Sequence, residues 1–117
     1  MLPFLQFLCQ AYFGIRGNQR MIIADYNFEG PWSLDQIFND VPGIYVIYTS
    51  QKWLDVGETD KLGQRLNGEN HERKSQWILN SNRLPISIAF LQVDNIALRL
   101  VVESRLRQVL SPVCGEK

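Results

Sequence analysis

Gly43-Ile44-Tyr45-Val46-Ile47-Tyr48, followed by Trp53-Leu54-Asp55-Val56-Gly57, is the stretch on which the reading of this chain turns. The first run is mostly β-branched and aromatic, the composition of a strand buried on at least one face. Pro42-Gly43 punctuates its start, and Thr49-Ser50-Gln51-Lys52 between the two runs has the composition of a turn. The pair therefore reads as a β-hairpin. Period-2 alternation sends Ile44, Val46 and Tyr48 to one face, and Tyr45 and Ile47 to the other. Gly57 ends the second strand where the chain must turn, and Asp60 stands in N-cap position for a helix through Leu62, Arg65 and Leu66. Tyr45 and Arg65 are thereby handed to a common surface.

Working outward, Ser33 followed by Gln36 has the form of a capping box and predicts a short helix through Leu34, Ile37 and Phe38. Ile22 to Phe28 alternates loosely, as an edge strand does, and Gly30-Pro31 breaks it. On the other side, Asn67-Gly68 is a turn signal. A polar helical segment then opens at His71-Glu72-Arg73-Lys74 and closes in Trp77-Ile78-Leu79. Pro85 to Val93 reads as the third strand, with Pro85 tolerated at its first position. Asp94 is the expected N-cap of the longest helix, Asn95 to about Leu110, stopped by Ser111-Pro112. Apolar residues cover most of that helix's circumference, which predicts packing on more than one side. A narrow polar stripe remains at Arg99, Glu103 and Arg107. The expected architecture is α/β of the α+β kind, a small three-stranded antiparallel sheet flanked by helices.

At 117 residues the chain is one domain, long enough to bury a core and too short for two domains. Residues 1–28 read as an N-terminal segment, either a leader or a docking element, and 29–117 as the domain. The Leu- and Phe-rich start lacks a preceding Lys or Arg and a small-residue cleavage pattern, so secretion is not expected. It is also too short to span a bilayer. Met21 offers a second initiation site, which the sequence leaves open. Cys9 and Cys114 with a single His exclude a structural zinc site on count alone. A disulfide stays open; free thiols in a reducing cytoplasm are the preferred reading. Formal net charge is +0, unusual for a nucleic-acid protein. The charge is unevenly spread: residues 1–42 carry 2 basic and 4 acidic side chains, and residues 43–117 carry 10 and 8.

From Pro42 to Gly115 the chain resembles the GIY-YIG nuclease family. Gly43-Ile44-Tyr45 matches the first motif and Asp55-Val56-Gly57 stands at the second, with ten residues from Tyr45 to Asp55. Arg65 follows Gly57 by eight residues, and Glu103 follows Arg65 by 38, on the helix that bears the family's metal-binding glutamate. Pro112, nine residues after Glu103, keeps that helix's usual ending, while Gly115 stands where the family has asparagine. The resemblance implies a metal-dependent endonuclease that hydrolyses DNA, in preference to RNA, in the cytoplasm. It implies Glu103 as the ligand of one Mg²⁺ or Mn²⁺, Arg65 as the clamp on the scissile phosphate, and Tyr45 as the group that orients or deprotonates the water. His71, six residues after Arg65, matches a histidine that some members use as base. Asp55 replaces the tyrosine of the second motif; it is either a second metal ligand or a charge that repels substrate. No separate recognition module is evident, so specificity would come from a second copy or a partner protein, and no membrane is implied.

Each residue also has a plainer reading. Tyr45 alone is a half-buried strand tyrosine, Arg65 a solvated helix charge, His71 a surface histidine, and Glu103 between two arginines a surface ion pair. A nuclease therefore requires four scattered side chains to converge on one shallow pocket for a divalent ion and a phosphate; Glu103 far from Arg65, together with a buried and inaccessible Tyr45, would leave it no footing. The alternative is a catalytically weak nucleic-acid-binding or protein-interaction module on the same scaffold. A chance motif on an unrelated α/β protein would put Tyr45 and Glu103 on unrelated faces.

Overall fold

Between two hydrogen-bonded neighbours, a strand with helices over both faces has nowhere to expose a side chain, and Gly43–Tyr48 meets that condition at all six positions. The computed structural model describes residues 20–68 and 72–114. In chain order these form β1 (Arg20–Ile23), β2 (Tyr26–Ser33), β3 (Gly43–Tyr48), β4 (Trp53–Thr59), α1 (Leu62–Asn67), α2 (Glu72–Asn80), β5 (Ser87–Gln92) and α3 (Ile96–Leu110). The strands make one antiparallel sheet in the order β1-β2-β5-β3-β4. The α+β class is as expected, but the sheet has five strands where the sequence pattern predicts three.

The alternation along β3 sorts the interior into two cores. Ile44, Val46 and Tyr48 join Met21, Ile23, Phe28 and Val56 under Val102 and Leu106 of α3. Tyr45 and Ile47 join Leu54, Leu62, Leu66, Trp77, Ile88 and Phe90 on the α1 and α2 side. Each fully buried aliphatic or aromatic side chain here contributes about 1.5–3 kcal/mol relative to an exposed one.

Ile22 to Phe28, read as one edge strand, is instead two strands joined by a turn, and the sequence conceals this for identifiable reasons. β1 and β2 are joined by Ala24-Asp25, with φ of 49° and 73°. A two-residue loop with both φ positive suits the right-handed twist of a hairpin, but it is ordinarily signalled by Asn-Gly rather than Ala-Asp. Gly30-Pro31, read as a breaker, lies inside β2, where the pairing with β5 shifts register between Glu29 and Trp32. A bulge is where an interior strand tolerates proline. Gly30, at φ 134°, brings its backbone so close to β5 that a Cβ would stand 2.8 Å from the Ile88 carbonyl oxygen. The boundary drawn after residue 28 thus falls inside a strand, and Phe28 is fully buried.

The helix predicted from Ser33 and Gln36 does not form. The Ser33 hydroxyl donates instead to Asp35 Oδ1 at 2.5 Å, and the segment runs on without a helix to β3. It is tied to α1 by Asn67, whose Oδ1 accepts from Phe38 N at 2.9 Å and whose Nδ2 donates to Gln36 O at 2.8 Å. Asp40 Oδ1 accepts from Gln64 N at 2.8 Å, the capping role expected of Asp60. The helix itself starts after Lys61, which makes no side-chain cap. On α3 the cap is Asn95 rather than Asp94, and its Oδ1 accepts from Leu98 N at 2.9 Å.

Helix α3 also inverts the expected polarity. Its buried residues are Arg99, Val102 and Leu106, whereas Leu98, Leu100, Val101 and Val109 are exposed. The arginine and glutamate stripe therefore turns toward the sheet, where β4 is the edge strand. Among the described residues, no helix is long and apolar enough to cross a membrane.

Candidate functional site at the rim of the edge strand

Tyr45 and Gly57 are directly paired across β3 and β4. The phenol lies over the glycine so closely that a Cβ at Gly57 would collide with both Cζ and Oη of Tyr45. The missing side chain is thus what admits the ring. Its hydroxyl then reaches α1, where Arg65 Nε donates to Tyr45 Oη at 3.0 Å. Tyr45 is fully buried while Arg65 is exposed, so the guanidinium covers the phenol from the solvent side. Burial pushes the Tyr45 pKa up and outweighs the opposing effect of Arg65. Positive charge from Arg65 therefore does not make this proton labile; desolvation outweighs it.

Asp55 points into the same side of the sheet and is fully buried. Its Oδ2 accepts from Trp77 Nε1 at 2.8 Å and from Arg73 Nη1 at 3.4 Å; Oδ1 accepts from Arg107 Nη2 at 3.1 Å and from the Val56 amide at 2.8 Å. Four donors occupy a carboxylate that has no contact with solvent. This burial speaks against Asp55 as a second metal ligand, and two guanidinium groups stand against its charge. Arg107 also donates from Nη2 to the Val56 carbonyl, covering an outward-facing acceptor of the edge strand.

Across β4, the third group of the resemblance sits on α3. Glu103 is half-buried, and its Oε2 accepts from Arg107 Nε at 3.5 Å. Arg99, buried beneath the helix, pairs with Glu58 of β4 through Nε to Oε1 at 3.0 Å rather than with Glu103. Burial pushes the Glu103 pKa up, the charge of Glu58 adds to this, and Arg107 opposes it. Glu58 is within electrostatic reach of both Arg65 and Glu103, and Arg73 of both Tyr45 and Glu103. Tyr45 and Arg65 are thus joined directly, whereas Glu103 contacts Arg107 and is linked to that pair only through the charges of Glu58 and Arg73. The phenol itself is buried and inaccessible. His71 lies outside the described residues.

A raised carboxyl pKa means that the ionised form is disfavoured by the fold. Above that pKa Glu103 costs stability, and the cost disappears as pH falls and the group protonates. Glu103→Gln is expected to be at least as stable as the unchanged protein at pH 7. That advantage should vanish toward about pH 4, the range of an ordinary glutamate. Urea unfolding at the two pH values measures it, and a Glu103→Gln protein less stable at pH 7 than at pH 4, relative to the parent, contradicts it.

Among the described residues, no group of three or more His, Cys, Asp or Glu is placed to cage a metal. Mg²⁺ needs no cage, because it retains waters and is held through one or two carboxylates together with substrate phosphate. Glu103 fits that mode, its side chain being 22% exposed and held by one long contact, to Arg107 Nε at 3.5 Å. Sequence reading missed Glu58, Arg73 and Trp77. One signal was present: an acid inside the apolar run Trp53-Leu54-Asp55-Val56 must find partners when buried. Compared with family models, with curated proteins and with solved structures, the chain finds no match.

Proposed function

We propose that this rim binds a nucleic-acid phosphodiester and hydrolyses it with one divalent cation, as a DNA endonuclease of GIY-YIG type. The observation that carries the reading is the Arg65 Nε to Tyr45 Oη bond at 3.0 Å, laid across the side-chain-free Gly57. Three residues of the resemblance meet there for a reason that packing alone does not demand. Tyr45 is assigned a positioning role. By engaging Nε it leaves the two terminal nitrogens of the exposed Arg65 to offer a planar fork matched to phosphate oxygens. A buried phenol with a raised pKa does not serve as the base. Glu103 would hold Mg²⁺ or Mn²⁺, which supplies an activated water and neutralises charge developing on the phosphate. A cytoplasmic location belongs to the same proposal.

The test incubates the purified chain with supercoiled plasmid and Mg²⁺ or Mn²⁺, beside Glu103→Ala and Tyr45→Phe. Nicking that disappears in Glu103→Ala supports the proposal. Equal nicking by all three proteins indicates a contaminant and removes it. A second reading, nucleic-acid binding without cleavage, is favoured by Asp55: where the resemblance expects a tyrosine hydroxyl, this chain has a carboxylate wholly engaged by Arg73, Arg107 and Trp77. Retention of DNA with a steep salt dependence and no nicking would select it.

A further inference from the structure

We infer that Asp55 is a positioning residue that splits the Arg107 fork and so keeps Glu103 open to a divalent cation; this rests on the proposed role of Glu103. Nε and Nη2 form the side edge of a guanidinium, the edge that clamps a carboxylate through two parallel bonds. At Arg107 the two nitrogens serve different carboxylates. Nη2 goes to Asp55 Oδ1 at 3.1 Å and to the Val56 carbonyl, whereas Nε alone faces Glu103 Oε2, at the long distance of 3.5 Å. The buried acid thus takes the better half of the fork. Glu103, at i−4 on the same helix, is left with one weak contact that a cation can displace.

The position of Asp55 makes this arrangement durable. It is fully buried, while the Arg107 side chain is 16% exposed and that of Glu103 22%. Coulombic attraction is stronger where water is excluded, so Asp55 outcompetes Glu103 for the shared guanidinium. Trp77 Nε1 and Arg73 Nη1 hold the opposite oxygen and fix the plane of the carboxylate toward Arg107. Removing the negative charge at Asp55 would release Nη2 to join Nε on Glu103. The closed, bidentate pair would then compete with metal. A tyrosine at this position could not hold the guanidinium in the same way.

Mn²⁺ binding by isothermal titration calorimetry, without nucleic acid, tests this with Asp55→Asn, Arg107→Gln, the double variant and Glu103→Ala. Asp55→Asn is expected to weaken Mn²⁺ binding roughly tenfold or more, the usual effect of losing an outer-shell partner of a metal ligand. In the Arg107→Gln background the same change should cost less than about twofold, because the competitor is gone. An equal loss in both backgrounds would mean that Asp55 acts by direct ligation or through-space charge, and the inference falls. Unchanged affinity in Asp55→Asn also overturns it. Should Glu103→Ala bind Mn²⁺ as the parent does, it is the metal-site reading that fails. A measurement on the parent protein covers the case in which Asp55→Asn does not fold. On Mg²⁺ saturation, the Arg107 guanidinium should keep restricted rotation about Nε–Cζ by nitrogen NMR, held by Asp55 and Val56; free rotation overturns the inference.

Discussion

Asp55→Ala is expected to lower the unfolding free energy by about 3–5 kcal/mol, the usual consequence of removing one partner from a buried ion pair. The magnitude follows from what is left behind. Trp77 Nε1 loses Asp55 as an acceptor inside the α1 and α2 core, and Arg73, only 22% exposed, loses the buried charge opposite it, while Arg107 falls back on Glu103. The edge strand also loosens, because Arg107 is fixed on the Val56 carbonyl by its bond to Asp55. For a domain of this size the loss corresponds to roughly 12–20 °C in Tm. Asp55→Asn should cost less, since its amide oxygen can still accept from Trp77. Urea unfolding of both variants checks the order, and a cost below about 1 kcal/mol for Asp55→Ala would show that water already solvates the two arginines.

Arg65→Lys is the second large effect, and it falls on activity. An ammonium cannot hold Tyr45 Oη with one nitrogen and present two others to phosphate in a plane, so the substitution removes the fork while keeping the charge. Nicking is expected to fall about 10²–10³-fold, the range for loss of one preorganised electrostatic donor. Stability should change little by comparison, because Arg65 is exposed and its side chain is tied to the fold through Tyr45. Plasmid-nicking rates beside thermal melts separate the two. An Arg65→Lys protein that nicks at the parental rate, with a retained fold, would show that charge alone suffices and that Tyr45 orients nothing.

The β3–β4 hairpin and the two faces of β3 were legible because period-2 patterning is local and both faces are covered: each apolar residue on β3 had somewhere to go. The start and stop of α3 were legible to within a residue, since capping is a matter of neighbouring groups. The convergence of Tyr45 with Arg65 was legible through spacing. By contrast, the β1–β2 hairpin turns on Ala24-Asp25, which carries no hairpin signature, and β2 contains a Gly-Pro that reads as a break until a bulge absorbs it. The false helix at Ser33 shows the converse: the capping residues are present, but Asn67 and Asp40 drew the segment onto α1 instead.

What the sequence by itself determined is the set of local choices, strand alternation, helix ends and the register of Tyr45, Gly57 and Arg65, because each depends on residues close together in the chain. Only the tertiary structure decided what the charges do. Asp55 meets Arg73, Trp77 and Arg107 at separations of 18, 22 and 52 residues, and Arg99 meets Glu58 at 41. Burial likewise sets the Tyr45 pKa upward against its neighbouring charge, because the dielectric around a group is a property of the folded interior and not of its neighbours in sequence.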